Sequence, residues 1–540
     1  MKVAVVIPPW FHPTSPPLGP ACLSAFLKAH NKHLDVRVFD LNIRYYKQAL
    51  KFCQRGKIGV SIYGWKPKKT AEAVKHAFGF LKKNRLSLVS ARKWHENATI
   101  FLSFENILNG FMTEMASRSL FNLETPRAIN GLLGSLTEEV IDFSPELCAI
   151  SVSFDTQMPF ALAISRMIKE GTDAFICLGG ARFGTSPHPQ RLFEKGISLK
   201  VRGQERHLED IPCVDAIIPG EGEIPLLKLC RSLKQGNLRD VPGLVYRASN
   251  RVIYTTPPEP LNMNQLPVPD FLDIDLSAYM TPEPVLPFMT SRGCAWGKCT
   301  FCTHHKGYLR YRQMEIREVI RQLKEMKNAY NTRYFNFFDE MIPPGRARRL
   351  SMGLLREGLE VFFSAYGKPV RAFDSALMTL SFKAGCRVML WGVESGSQKI
   401  LDLMGKGTRV KDIELALRAS HEAGVRNLLF IMFGFPGEDT NDFKQTIDFL
   451  KRNRDYIDAI SKGLFILIEG CDVQKKPERF FIKEMRQVAD NFSGAISYDF
   501  ETISGLDRKE VEKLYKKHLP FLEKLGISPR LGVYREHLLF

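Results

Sequence analysis

The residues best suited to chemistry in this chain sit in one short loop. Cys294, Cys299 and Cys302 stand in the run Ser291-Arg292-Gly293-Cys294-Ala295-Trp296-Gly297-Lys298-Cys299-Thr300-Phe301-Cys302, with the spacing C-x4-C-x2-C. Three thiolates on one loop can hold three irons of a cubane [4Fe–4S] cluster. The fourth iron then has no protein ligand and is open to a substrate or cofactor, the feature that separates catalytic from structural metal sites. A Cys3His zinc knot completed by His304 or His305 is the alternative, but such knots close with a second ligand pair further on, and none follows. The remaining cysteines are mostly isolated in apolar contexts and read as reduced, buried thiols.

Such a loop needs a rigid frame, and the second half of the chain supplies one. The apolar run Val285 to Met289 leads into the loop as a buried strand. An amphipathic helix follows over Ile316 to Tyr330. Strand patterns recur at Arg333–Phe338, Glu360–Tyr366, Val388–Gly396, Asn427–Phe433 and Ala459–Ile468, with helical patterns at Asp374–Ala384, Val410–Ala423 and Asp439–Asn453. Repeated βα units with polar groups at the strand ends predict a full or partial TIM-type barrel. Those ends deliver Asp339, Glu394 and the segment Gly434-Phe435-Pro436-Gly437-Glu438. Plainer roles are open to each: a helix cap for Asp339, a structural ion pair for Glu394, a simple turn for the Pro-Gly-Glu segment. Asp507–Leu519 reads as a charged helix ended or kinked by Pro520.

The first half has its own α/β rhythm. Strands are predicted at Lys2–Pro8, Leu34–Asp40, Leu147–Phe154, Ala174–Leu178 and Asp215–Ile218, with helices at Gly19–Ala29, Met158–Glu170 and after Glu223. Residues 43–140 interrupt this rhythm with helix-like, basic sequence. Asp240–Tyr246 reads as a hairpin bridge, and a Pro-rich linker places a domain boundary near 265–280. In open α/β sheets, ligands bind at the carboxyl ends of the strands.

The bulk numbers exclude some classes. Hydrophobic residues make up 44% and charged residues 25%, ordinary for a globular protein. No apolar stretch reaches the ~18 residues of a membrane span. Met1 to Pro8 enters a strand pattern with no signal-peptide core, and a cytoplasmic location is expected. The net charge of +18 is spread out. Its clusters, Lys66-Pro67-Lys68-Lys69, Lys82-Lys83-Asn84-Arg85 and Arg346-Ala347-Arg348-Arg349, lack interleaved aromatics and read as solvated faces rather than nucleic-acid sites.

The Arg-Gly-Cys trio, with an aromatic before its last cysteine, resembles the radical S-adenosylmethionine (SAM) superfamily. The usual spacing there is C-x3-C-x2-C, so this chain resembles a subgroup with a widened cluster loop. The resemblance implies a [4Fe–4S] cluster on Cys294, Cys299 and Cys302, SAM chelating the open iron, and electron transfer that yields a 5′-deoxyadenosyl radical. It implies SAM contacts from Phe301 near the adenine and Asp339 at the amino group. Gly392, Glu394 and Ser395 would lie along the ribose and methionine, and Gly434 and Pro436 in the closing turn. Met404-Gly405-Lys406-Gly407 falls where the family often has a basic residue.

The first half resembles the cobalamin (B12)-binding domain that precedes many radical SAM cores. The implied cobalamin contacts are Pro9, Trp10, Asp40, Asn42, Ser151, Ser153, Gly179, Gly180, Gly220 and Glu221. The Asp-x-His-x-x-Gly signature, which supplies a lower cobalt ligand in many such domains, is absent, and His12 reads as a loop histidine. The expected architecture is α/β. A Rossmann-like cobalamin-binding domain spans 1–265 with its helical insertion at about 43–140, a partial TIM-barrel radical SAM core spans 280–470, and a helical, substrate-capping region spans 471–540. The expected activity is methylation of an unactivated carbon through methylcobalamin, with SAM used twice. Partners are a small-molecule, lipid or peptide substrate and an external flavodoxin- or ferredoxin-like reductant. A cyclase or rearrangement enzyme, a tRNA methylthiotransferase and a non-catalytic cluster and cobalamin sensor are the alternatives. No catalytic residue is assigned.

Overall fold

A computed structural model describes every residue except 186–187, 195–196, 202–203, 209–210, 250, 305–309 and 489–496. His305 lies outside the described residues. The chain forms two compact units. One comprises Met1–Lys83 and Glu96–Met280; the other comprises Asn84–His95, Thr281–Val488 and 497–540. Among the described residues no helix is long and apolar enough to cross a membrane.

In the first unit, strands β1 (Lys2–Ile7), β2 (Asp35–Asp40), β3 (Leu147–Ser151), β4 (Phe175–Gly180) and β5 (Ala216–Pro219) run parallel in the order β2-β1-β3-β4-β5. The hairpin β6 (Val245–Ala248) and β7 (Arg251–Tyr254) extends the sheet antiparallel beyond β5. Val3 to Ile7 are all fully buried. The central strands read as unbroken apolar runs because such a sheet is covered on both faces. Between β2 and β3 the chain makes four helices, Leu41–Gln54, Pro67–Lys83, Ala91–Leu120 and Arg127–Phe143, which account for the basic, strandless stretch. The strand order reverses between β1 and β3, and a reversal of that kind opens a crevice at the carboxyl ends.

In the second unit, strands β8 (Val285–Phe288), β9 (Tyr334–Phe337), β10 (Phe362–Gly367), β11 (Cys386–Glu394), β12 (Arg426–Phe433) and β13 (Ala459–Leu464) lie side by side in chain order, all parallel. Among the described residues the sheet stays open, with β8 and β13 as edges. It is the partial form of the expected barrel. Helix Pro344–Arg356 was not anticipated. Its Pro343-Pro344 start suits a first helical turn, but the arginines behind it mask its apolar stripe.

The C-terminal region departs from expectation in three ways. Ile482–Gln487 and Ser497–Thr502, where helices were expected, form a small antiparallel sheet with Leu467–Ile468. Helix Arg508–Leu522 continues through Pro520; in a last turn the missing N–H costs little more than one hydrogen bond. The final residues do not cap the strand mouth but run along the sheet from its carboxyl to its amino ends. Arg535 lies over the rings of Phe338 and Tyr366, just at the ends of β9 and β10. Asn336, within β9, donates to Glu536 Oε1 at 3.1 Å. The Leu538 carbonyl accepts from Arg426 at the start of β12, and Phe540 packs on Tyr334 at the start of β9 with ring centroids 4.4 Å apart.

Gly385, between a helix and β11, has φ +104°, and a Cβ there would lie 1.8 Å from the Val361 carbonyl oxygen. Gly385→Ala is expected to destabilise the protein by about 2 kcal/mol or more in urea unfolding. Gly463→Ala, which meets open space, should stay within about 0.5 kcal/mol of the parent.

Candidate functional site

The cysteine loop leaves β8 and is held at its base by Asp339. That carboxylate is buried at the carboxyl end of β9 and accepts from Thr290 N at 3.1 Å, Thr290 Oγ1 at 2.7 Å and the Ser291 hydroxyl. Burial raises its pKa above the usual carboxylate value against the pull of these donors. Arg346 braces the same corner, donating to Thr290 Oγ1 at 3.0 Å, the Thr290 and Met314 carbonyls at 2.9 Å each, and Gln313 Oε1 at 3.0 Å. Asp339 therefore caps no helix; it buttresses the loop. Arg346, read within a solvated basic cluster, is only 3% exposed. Gly293, at φ +79°, has Tyr311 backbone 3.1 Å from where a Cβ would stand.

The far side of the loop docks on residues 403–407. Trp296 Nε1 donates to the Gly405 carbonyl at 2.9 Å, Thr300 N to Met404 O at 2.9 Å, and Thr300 Oγ1 to Leu403 O at 3.1 Å. A Cβ on Gly405 would meet the Lys298 carbonyl at 2.7 Å, and one on Gly407 the Trp296 ring at 2.2 Å. This close seating brings Lys406 to the thiols. Its ammonium bonds Glu394 Oε1 at 2.7 Å, with both side chains largely buried. Burial opposes the charge on Lys406, but Glu394 and the thiols of Cys299 and Cys302 outweigh it and raise its pKa.

Lys368, which follows β10, was missed by sequence reasoning. Its Nζ lies 3.2 Å from the Trp296 ring centroid and donates to the Lys406 carbonyl at 3.3 Å. Burial, countered in part by Cys299 and Cys294, lowers its pKa to about 8. A lysine directly after a buried strand was the available signal.

Cys294, Cys299 and Cys302 are each half-buried. Among the described residues no three His, Cys, Asp or Glu side chains are drawn together around a single-ion site. A cubane spreads its thiolates over separate irons, and the two lysines beside the trio suit an anionic cluster, so the residues present fit that group. His304 Nδ1 lies 3.4 Å from Glu340, whose hydrogen bond raises its pKa.

The other expected SAM contacts divide. Glu394, at φ +67° on the end of β11, presents its carboxylate at the strand end, and Gly392 makes room for the ion pair, since a Cβ there would lie 2.6 Å from Lys406 Nζ. Ser395 is fully buried and meets Thr446 Oγ1 at 3.0 Å while accepting from Ser397 N at 3.1 Å. It shapes the segment from behind. Phe301 packs on an apolar cluster that includes Met404, Phe435 and Phe465. Gly434, at φ +77°, and buried Pro436 form the turn after β12.

In the first unit the β1 and β3 loops are tied at the switch point. Gln157 Nε2 donates to Pro8 O at 2.7 Å, and Thr156 Oγ1 to Trp10 O at 3.3 Å. The Gln157 side-chain carbonyl accepts from Ser153 N at 2.8 Å. Trp10 Nε1, in the loop after Pro9, is buried with no hydrogen-bond acceptor among the described residues. Ser151, at the end of β3, is 9% exposed, and Gly220 and Glu221 are part-exposed after β5. Several expected cofactor contacts instead hold the loops. Asp40 caps helix Leu41–Gln54 and accepts from the Tyr279 hydroxyl at 2.6 Å. Asn42 exchanges two 3.1 Å hydrogen bonds with the Phe11 backbone. Gly180 has φ +108°, and a Cβ there would strike the Val152 backbone at 2.4 Å; Gly179 O accepts from Val152 N at 2.7 Å. His12 is engaged through Nδ1 by buried Glu105 at 3.0 Å.

Residues 288–450 match the family model for the Radical SAM superfamily. The second unit carries a radical SAM domain. The superfamily's [4Fe–4S] cluster and SAM are its cofactors. An uncharacterized methyltransferase of Pyrococcus horikoshii is 26% identical over 341 residues, covering 60% of this chain and 69% of the relative. An anaerobic magnesium-protoporphyrin IX monomethyl ester cyclase of Rubrivivax gelatinosus is 24% identical over 252 residues, 44% of this chain and 45% of the relative. The structure of the cobalamin-dependent S-adenosylmethionine radical enzyme OxsB with aqua-cobalamin and SAM bound superposes with a TM-score of 0.62 at 17% identity, over 96% of this chain and 67% of that one. The chain thus shares its fold with that protein.

Glu438, in the turn after β12, generates a pH prediction. It is 1% exposed, accepts from Gly434 N, and leaves Oε1 without a partner. Burial pushes its pKa up to about 8 from 4.5. Its stabilising contribution is then complete below about pH 4.5 and lost as pH rises through about 8. Urea unfolding should find Glu438→Gln within about 0.5 kcal/mol of the parent at pH 5 and more stable by about 1 kcal/mol or more at pH 9.

Proposed function

We propose that this chain is a radical SAM enzyme that binds cobalamin in its first unit and methylates an unactivated carbon. The observation that carries the reading is the seating of Lys406 between Glu394 and the cysteine loop. A buried carboxylate and ammonium at one strand end complement the ammonium and carboxylate of an amino acid, and they stand beside the thiols that would hold the cluster. When bound, the cluster and SAM supply a carbon radical, and cobalamin supplies a methyl carrier.

The protein's own part is to position and to exclude water. Cys294, Cys299 and Cys302 would hold the cluster, with Asp339 and Arg346 fixing the loop from below. Glu394, Gly392 and Lys406 would orient the amino-acid and ribose parts of SAM. Phe301, Gly434 and Pro436 would give the adenine an apolar wall. Ser395 acts through the segment it supports. In the first unit, Pro9, Trp10, Ser151, Ser153, Gly220 and Glu221 would line the cobalamin crevice; the orphaned Trp10 Nε1 fits a ligand acceptor. Asp40, Asn42, Gly179 and Gly180 would shape its loops. An external flavodoxin- or ferredoxin-like protein would deliver electrons.

A cyclisation or rearrangement is the second reading, favoured by the cyclase relative. The methylthiotransferase reading needs a second cysteine trio. Cys53 and Cys148 are buried on a helix and mid-strand, with thiols pushed up to about 11 and about 12 by burial, which suits packing rather than ligation. The intact Glu394–Lys406 pair speaks against a sensor, which has no use for it.

Anaerobic reconstitution with iron, sulfide and hydroxocobalamin, followed by SAM and a strong reductant, tests the proposal. Stoichiometric cobalamin and 5′-deoxyadenosine are expected, and Cys302→Ala should lose the cluster absorbance and the deoxyadenosine together. Deoxyadenosine without retained cobalamin would remove the methyl-carrier role; zinc in place of iron would overturn the reading. Lys406→Met should keep its iron content but slow SAM cleavage by roughly tenfold or more, since a hydrogen bond to a charged group contributes about 1.5–3 kcal/mol.

A further inference from the structure

Arg535, which is half-buried, differs from buried Arg346 and from half-buried Arg387 and Arg426. Arg346 makes four hydrogen bonds to protein oxygens, Arg387 donates to two carbonyls, and Arg426 donates to Leu538 O. The Arg535 guanidinium instead has the adjoining Glu536 carboxylate as its charged partner. It lies over the rings of Tyr366 and Phe338, 5.5 and 5.8 Å from their centroids, with its side chain 27% exposed. Glu536 Oε1 is 3.6 Å from Nε, a long ion pair made through one edge of the guanidinium. That oxygen already accepts from Asn336 Nδ2 at 3.1 Å, and Asn336 is fixed in turn by Ser364 Oγ at 2.6 Å.

The pair engages Nε and leaves the outer donors of the fork, on a side chain 27% exposed, without a hydrogen bond among the described residues. The place is informative. Phe338 directly precedes Asp339, and Tyr366 directly precedes Gly367 and Lys368, so the guanidinium sits at the carboxyl ends of β9 and β10. Ligands of parallel βα sheets bind at those ends. Tyr366 also stacks on Phe430 with centroids 6.0 Å apart and planes 7° from parallel, giving a flat apolar shelf beside the charge. A planar fork held against aromatic faces is suited to bidentate capture of a carboxylate or phosphate.

We propose that Arg535 is the recognition point for an oxyanion of the substrate, so that the substrate is a carboxylate- or phosphate-bearing compound. This rests on the reading of the second unit as catalytic, but its test does not use catalysis. The full chain, without cluster, is titrated calorimetrically with inorganic phosphate and with acetate at low ionic strength. Saturable one-site binding is expected, and the tighter of the two anions identifies the oxyanion. Arg535→Gln should weaken that binding at least tenfold, and Arg535→Lys, which keeps the charge and loses the fork, by less. Circular dichroism reports whether each variant folds. If Arg535→Gln does not fold, Phe338→Leu carries the test, since removing one ring should weaken binding several-fold. Parent protein that binds neither anion, or Arg535→Gln that binds like the parent, overturns the proposal. So does a variant that loses SAM in equilibrium dialysis while keeping phosphate, for then the guanidinium serves SAM. Absence of deoxyadenosine formation would count against the radical reading and leave these titrations untouched.

Discussion

Lys406 keeps a positive charge where little water reaches, and the site is organised around keeping it there. A buried ammonium is costly unless paired and hydrogen-bonded. The pair comes from Glu394, placed by the end of β11, and from the electrostatics of Cys299 and Cys302, placed by the docked loop. Each condition constrains the rest. Gly392 must lack a side chain, Gly405 and Gly407 must allow the loop to close on Trp296, and Thr300 must reach the carbonyls of Leu403 and Met404. The same seating lets Lys368 reach Trp296 from the neighbouring strand end. Two cations and three thiols thus share one corner through backbone fit rather than through contacts any single residue could announce.

That distinction explains what was legible in the amino-acid order. The parallel strands of both units were readable because burial on two faces demands unbroken apolar runs such as Val3–Ile7 and Leu428–Phe433. The cysteine spacing was readable because one loop must supply every thiol. Roles at the strand ends were only half readable. Asp339, Asp40, Asn42 and Ser395 stand where ligand contacts belong, yet each turns inward to satisfy backbone or neighbouring hydroxyls. A short polar side chain at a strand end can brace a loop or meet a ligand, and which it does depends on distant partners: Thr290 for Asp339, Tyr279 for Asp40, Thr446 for Ser395. Arg346 and Lys368 were hidden for the converse reason, since their charges suggested solvent while their partners lie 32 to 56 positions away.

The C-terminal tail shows the same limit at larger scale. Its apolar end suggested a lid, but Leu538, Leu539 and Phe540 are buried, and the polar stations along it, Glu536 on Asn336 and Leu538 on Arg426, match inward-facing groups of the strands. An open parallel sheet leaves one face in need of cover. A tail drawn along that face supplies cover while placing Arg535 at the carboxyl ends of β9 and β10.

The cysteines make the final point about environment over identity. Cys148, Cys230 and Cys386 are buried, and desolvation pushes their thiols up to about 12, so they keep their protons and act as small apolar groups. The trio shares the loop, partial exposure and two nearby ammoniums. Burial raises Cys299 as well, but Lys406 and Lys368 pull in the opposite direction. A metal ligand must give up its proton, and the cost of doing so is smallest where positive charge already waits. The lysines of the adjoining strand ends thus offset part of the burial that raises Cys299, a help that buried Cys148 lacks.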